Sequence, residues 1–255
     1  MGNIERKIDI FLEYLIDKKS YIPILEGLQN TMLIAVGGLI IGIIIGTLIA
    51  TIRVLPKNKI KPKSGRAISR FFSYMRAYVI PKVLDSICAL YVGFFRGTPI
   101  VVQLLLTHYV ILPLLGINIE GLYTALAVFG MNSGAYISEI MRGGILSVDP
   151  GQMEGGRSVG MSYGATMIKI VIPQAVKNIL PTLGNEFIAL VKETSVVSFV
   201  AIVDLYKAFK DIGNRTYDFM IPYLAMAIIY IVIVMAITMM IKLMERRLRK
   251  SDRGR

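Results

Sequence analysis

Residues 27–52 form an unbroken run of 26 residues without a single charge. A helix needs roughly 20 apolar residues to cross the hydrocarbon core of a bilayer, so this run commits the chain to a membrane. Four more stretches have the length and apolarity of spans: residues 84–106, 122–140, 182–203 and 221–241. Backbone N–H and C=O groups in lipid must be bonded within the chain, which makes each such stretch a helix. The chain is 55% hydrophobic and 18% charged, whereas soluble domains are about a quarter charged. The expected fold is an all-α integral membrane protein with five transmembrane helices.

Several function classes fall away on composition. The only Cys is Cys88 and the only His is His108, so an internal disulfide and a Cys/His zinc cage are excluded. A catalytic triad would have to use His108, which lies in an apolar stretch. No Gly-Lys pair occurs anywhere, so the phosphate loop that cradles ATP in nucleotide hydrolases is missing. The chain is expected not to be an enzyme, and to bind no metal or cofactor itself.

The net charge is +12, and its placement gives the direction of the spans. Arg53, Lys57, Lys59, Lys61, Lys63, Arg66, Arg70, Arg76 and Lys82 form a basic block without an acid. Lys242, Arg246, Arg247, Arg249, Lys250, Arg253 and Arg255 follow the last span. Basic residues are retained on the cytoplasmic side. Five spans therefore put the N-terminus outside and the C-terminus in the cytoplasm, and Arg142, Arg157, Lys169 and Lys177 agree. No aromatic stacking pattern accompanies the basic residues, so membrane retention explains them and nucleic-acid binding does not.

Ahead of the first span, Ile4, Ile8, Phe11, Leu12, Leu15 and Ile16 fall on one helical face, with Glu5, Arg6, Asp9, Glu13 and Asp17 mostly on the other. That pattern predicts an amphipathic helix at the outer interface; a frayed tail is the alternative. No signal peptide is expected, because the first apolar run exceeds a roughly 7–15 residue signal core. Gly38, Gly42 and Gly46 repeat every four residues within that run. Lipid gives helices no hydrophobic drive to associate, so such glycines open a face for close packing.

Charges at membrane depth mark candidate functional residues. Arg96-Gly97-Thr98-Pro99 interrupts the second span, and Pro99 should break the helix there. Broken backbone survives in a bilayer only where protein or water covers it, and a midplane cation costs about 2.5–3.5 kcal/mol. Arg96 is either a carboxylate site or gate, or a helix-end cation paired with an acid of the bundle. Asn185-Glu186 and Lys192-Glu193 stand seven residues apart, two helical turns, and share a face. Glu186 can meet a ligand ammonium; Lys192 and Glu193 can also neutralise each other. Asn132 and Ser133 can add hydrogen bonds to the same cavity.

The cytoplasmic stretch 147–175 carries helix signals. Asp149 can cap a helix, Pro150 suits its first position, and Gln152 stands where a capping-box partner belongs. The helix is expected to pass through Glu154 and stop near Gly160. Ser162 can cap a second short helix, which is expected to end before Pro173. Loops of more than about 12–15 residues usually carry function.

The run from Ala135 through Tyr136, Ser138, Glu139 and Arg142 to Gly144 closely resembles the permease subunits of ABC-type polar amino acid importers. So do Gly151-Gln152-Met153-Glu154-Gly155-Gly156, Gly160-Met161-Ser162 and Ile172-Pro173-Gln174-Ala175. Arg96 to Pro99 with Gln103, and Leu183 to Glu186 with Lys192 to Ser195, fit the same family. The resemblance covers roughly residues 25–203. It implies a type I ABC importer transmembrane domain, with a permease domain at 24–243 between an interfacial segment at 1–23 and a basic tail at 244–255. It implies that Arg96, Thr98, Gln103, Asn132 and Glu186 meet the substrate. The loop containing Gly151, Gln152, Glu154, Gly155, Gly156, Gly160, Met161 and Ser162 would dock in a separate ATPase, which binds ATP and Mg. A second permease subunit, identical or different, an external amino-acid-binding protein and membrane lipid would be the other partners, at a bacterial cell membrane. The usual Glu-Ala-Ala is Glu154-Gly155-Gly156 here, which predicts a softer helix. The basic segment 59–85 is also longer than the family usually shows. An ion-coupled secondary transporter or channel is the alternative, with Arg96, Glu186 and Glu193 as its ion groups.

Overall fold

The computed structural model describes residues 2–54, 75 and 79–253. Lys57, Lys59, Lys61, Lys63, Arg66, Arg70 and Arg76 lie outside the described residues. Among the described residues all regular structure is helical. The chain runs through α1 (Gly2–Ile16), α2 (Tyr21–Val54), α3 (Ile80–Gly97), α4 (Ile100–Leu106), α5 (Gly121–Leu146), α6 (Pro150–Ser158), α7 (Tyr163–Thr166), α8 (Ile172–Glu193), α9 (Leu205–Thr216) and α10 (Met220–Arg253).

Helices α2 and α10 are each long and apolar enough to cross a membrane. α3 and the stretch beginning at Ile100 reach that standard only together, bent by 103°. The expected second span is thus a broken one. α5 and α8 hold 26 and 22 residues, enough for a core of roughly 30 Å at about 1.5 Å per residue, but both carry polar side chains inward.

The α2–α5 seam is the most extensive helix contact among the described residues, and reciprocal glycines explain it. A Cβ on Gly42 would stand 2.8 Å from Ser133 Oγ, and one on Gly46 would stand 2.7 Å from Ile137 Cγ2. From the other side, Gly130 and Gly134 receive Ile41 and Ile45. Each helix therefore presents flat positions to the other's branched side chains, and dispersion replaces the missing hydrophobic drive. The central core continues from this seam through Ile34, Leu104, Phe129, Leu190 and Val197, joining α2, α4, α5, α8 and the 3₁₀ turn that follows α8.

The N-terminal segment folds as helix α1, and it docks on the protein. Phe11 packs with Leu205, Phe209 and Ile212 of α9, and Lys7 Nζ lies 2.9 Å from Asp218 Oδ2. Ile4, Ile8, Leu12 and Ile16 remain exposed. The apolar arc is therefore divided between α9 and the surroundings.

The fourth span departs from its expected bounds. The second loop helix does not stop before Pro173. It passes through a π turn at Met167–Val171, where Ile172 N–H bonds Met167 O, and continues into α8. Proline has no N–H to give, and the widened turn shifts the bonding register just ahead of it. At the other end α8 closes at Glu193, and Thr194–Val200 is wound as a 3₁₀ helix.

Candidate functional site

The break between α3 and α4 is built from side-chain amides. Thr98 and Pro99 are extended, at ψ 145° and 136°, which frees the carbonyls of the last turn of α3. Gln103 Nε2 lies 3.0 Å from both Phe95 O and Thr98 O, and 2.8 Å from Thr98 Oγ1. Asn132 Nδ2 of α5 bonds Phe95 O at 3.1 Å and Gln103 Oε1 at 3.0 Å. Both amide residues are only 5% exposed. Thr98 Oγ1 also donates to Phe94 O at 2.8 Å. Unpaired carbonyls in a dry site cost about 1–3 kcal/mol each, and this knot removes that cost while fixing the bend.

The bend presents Arg96. Its guanidinium carbon stands 5.3 Å from the centre of the Tyr136 ring, a cation–π contact. Three residues earlier on α5, Ser133 Oγ donates to Glu186 Oε1 of α8 at 3.1 Å. One face of α5 therefore holds both charges, the exposed Arg96 of α3 through Tyr136 and the half-buried Glu186 of α8 through Ser133. Of the five residues expected to meet a substrate, Arg96 lies on Tyr136 and Glu186 on Ser133, while Thr98, Gln103 and Asn132 spend their polar atoms on the bend. Tyr136 stands in the family-like run but is not among the residues expected to meet a substrate. Its signal was its spacing from Ser133, three residues along the same helical face.

A separate groove of about 560 Å³ runs beside Lys192 and Ser195 along Met226, Tyr230 and Met235 of α10. Its lining is apolar apart from Lys192 and a few hydroxyls, and neither Arg96 nor Glu186 contributes to it.

At the other end, the loop forms as two capped helices. Asp149 Oδ1 accepts from Gly151 N at 2.7 Å, with Pro150 at the first position of α6. Gly160 turns left-handed at φ +87°, and Met161 N bonds Gly156 O at 3.1 Å. Ser162 Oγ accepts from Ala165 N to start α7. Gln152 does not close a capping box. Its Oε1 accepts from Gln174 Nε2 at 3.0 Å, because the facing helix α8 offers a donor where the cap would have used a backbone N–H.

The two glycines after Glu154 differ. A Cβ on Gly155 would meet nothing within 4 Å, whereas one on Gly156 would stand 2.5 Å from Thr166 Cγ2. Gly156 is the contact through which α6 lies on α7. Glu154, Gly155 and Gly160 are exposed, and so is Val159 at 79%. Beneath them Val148, Val171, Ala175 and Ile179 form a core with Ile140, Met141 and Ile145 of α5.

A helical membrane bundle, with one apolar helix pair broken beside a cation and an exposed helix on a buried foundation, suits a translocation component. Residues 70–250 match the family described as binding-protein-dependent transport system inner membrane component. The chain is 34% identical over 229 residues to the arginine transport system permease protein ArtQ of Bacillus subtilis (strain 168), covering 90% of this chain and 94% of that one. It is 33% identical over 237 residues to the putative glutamine transport system permease protein GlnP of Rickettsia bellii (strain RML369-C), covering 92% and 98%. A solved amino acid ABC transporter, crystallised with histidines, superposes with a TM-score of 0.75 at 35% identity over 92% of this chain and 98% of that one. The chain belongs to the binding-protein-dependent inner membrane component family, as an amino acid ABC transporter permease. It is a non-catalytic translocation subunit and a multi-pass protein of the bacterial cell membrane.

Proposed function

We propose that the chain is the permease subunit of a type I ATP-driven importer for a polar L-amino acid. The substrate is handed over by an external binding protein, and two permease subunits enclose the path. Five spans, formed by α2, the broken α3–α4 pair, α5, α8 and α10, place the N-terminus outside and the C-terminus in the cytoplasm. The observation that carries the reading is that α5 supplies Asn132 to the closed break between α3 and α4 and also packs, through Ile140, Met141 and Ile145, into the core under the exposed loop helix. In this reading Arg96, at the break, and Glu186 line one space, and the loop offers Glu154 to a partner ATPase that binds ATP and Mg. The relatives bear the printed names of arginine and glutamine systems, which supports the class of substrate.

At the bend, Arg96 takes the carboxylate of the amino acid and Glu186 its ammonium or a basic side chain, since each charge favours its opposite in a poorly hydrated site. Thr98, Gln103 and Asn132 act on the substrate through the bend. ATP binding closes the ATPase on α6, and the loop passes the displacement into α5 and α8. The residues from Gly151 to Ser162, including Gln152, Gly155, Gly156 and Met161, form the docking element.

Reconstituted uptake with the partner ATPase and binding protein tests this. Arg96→Ala and Glu186→Gln are each expected to lower substrate affinity or turnover by tenfold, about 1.4 kcal/mol. Gly160→Val, which forces a β-branched residue to positive φ, is expected to abolish uptake with insertion intact. Normal uptake in all three variants overturns the reading, and uptake that persists without any ATPase favours an ion-coupled carrier.

A further inference from the structure

The segment from Ser138 to Gly144 carries two charges, Glu139 and Arg142, that neither the substrate space nor the docking surface uses. Glu139 divides its carboxylate between two helices. Oε1 accepts from Arg53 Nη1, in the last turn of α2. Oε2 accepts from Arg142 Nε at 3.1 Å and Nη2 at 2.7 Å, one turn further along α5. Arg53 Nε in turn stands 3.9 Å from Asp85 Oδ1 in α3. The side chains of Arg53 and Glu139 are only 21% and 19% exposed.

This cluster stands where motion enters the bundle. α5 is continuous with the loop, since Ile140, Met141 and Ile145 pack into the core under α6 and α7. α2 meets α5 along a long seam and also touches α8, which continues from the same loop. The seam is glycine and branched aliphatic side chains, a non-directional contact. Near its cytoplasmic end it adds a directional one, the Arg53–Glu139 pair, supported by Thr47 Oγ1 at 3.2 Å from Met141 Sδ. Ion pairs with this degree of burial are poor stabilisers against apolar replacements of equal volume, and their best-attested use is to fix register. Charge-assisted hydrogen bonds add direction to that register.

We propose that Glu139 is a positioning residue for coupling, locking α2 to α5 at the cytoplasmic end so that loop displacement moves the two as one body. The proposal rests on the transport reading above. Losing the lock lets α5 move without α2, so ATP is hydrolysed with less amino acid delivered.

The test is parallel measurement of uptake and ATP hydrolysis by the full reconstituted complex. Glu139→Gln and Arg53→Gln are each expected to lower amino acid carried per ATP by about fivefold or more, the range of a typical coupling energy, with thermal midpoints near that of the unsubstituted protein. The double variant should be no worse than the worse single one, the non-additivity of partners in one contact. Arg142→Gln should do less, because that bond lies within α5. Glu139→Asp and Arg53→Lys keep the charges and should recover part of the ratio; they also serve if the neutral variants fail to assemble. An unchanged ratio, additive losses, or uptake and hydrolysis falling together with the thermal midpoint overturns the proposal. A complex of the unsubstituted chain without ATP-driven uptake would sink the transport reading and this inference with it.

Discussion

Two helix interruptions in this chain are closed in opposite ways. At Thr98 and Pro99 the freed carbonyls are met by buried amides from Gln103 and from Asn132 on another helix. At Gly160 the turn closes on itself through backbone bonds to Arg157 and Gly156, and the residue is exposed. Water can serve any group the second break leaves open. In the first, side chains must do it, because a bilayer offers no donors. A break in the membrane is therefore a tertiary object, while a break in water is a local one.

The largest test of that contrast is Gln103→Leu. It strips the Gln103 amide from Thr98 O and Phe95 O and removes one of the two acceptors of Asn132 Nδ2, leaving Phe95 O as the other. Loss of about 1–3 kcal/mol per unsatisfied group is expected, read as a clear fall in the thermal midpoint of the purified protein. Asn132→Leu should be similar and non-additive with it. An unchanged midpoint in both would break the comparison and return these residues to the substrate.

On the water side, Gly156→Ala should cost about 1–3 kcal/mol of overpacking against Thr166, unless that side chain moves aside. ATP-driven uptake is expected to fall with it. Recovery in a Gly156→Ala, Thr166→Ser double variant would identify the contact as the cause.

A third interruption, before α9, sharpens the picture. Asp204 caps that helix, accepting from Tyr206 N at 3.1 Å and Lys207 N at 2.9 Å, yet it is fully buried. Burial pushes its carboxyl up to about 6, against the opposing pull of those N–H bonds. The folded protein thus holds the proton more tightly than the unfolded chain, whose Asp titrates at about 3.9. Its protonation contributes stability that is full below about pH 4 and lost as pH rises through about 6. Asp204→Asn keeps a capping oxygen and should flatten the change in thermal midpoint over that window. A pH profile identical to that of the unsubstituted protein would refute this.

The smallest effect is expected at Gly155→Ala, where the added methyl meets open space. Helix propensity alone predicts a gain of up to about 1 kcal/mol, with uptake unchanged. Lost uptake would show that the partner ATPase needs the bare backbone at that position.

Much of the architecture was legible from neighbouring residues. The charge-free run became α2, Pro99 marked the break, and Asp149, Pro150, Gly160 and Ser162 marked the loop helices, because caps and breakers act within one turn of themselves. The passage through Pro173 was not legible. A proline is normally a stop, and only the π turn ahead of it lets the helix continue. Gln152 misled for a related reason: a capping-box pattern is a local offer, and Gln174 on α8 took it. Arg96 and Glu186 stood out as charges among apolar residues, whereas Tyr136 had no such contrast.

The sequence by itself determined that this chain lives in a membrane, that its second span breaks at Pro99, and where its loop helices begin. Those properties follow from transfer energies and from bonds reaching no further than one helical turn. Only the tertiary structure decided which amide closes the break, which of two adjacent glycines is packed, and which arginine Glu139 holds. Such choices depend on the rotation and register of whole helices. A rotation of one residue, about 100° in a helix, would present different side chains at every one of these contacts.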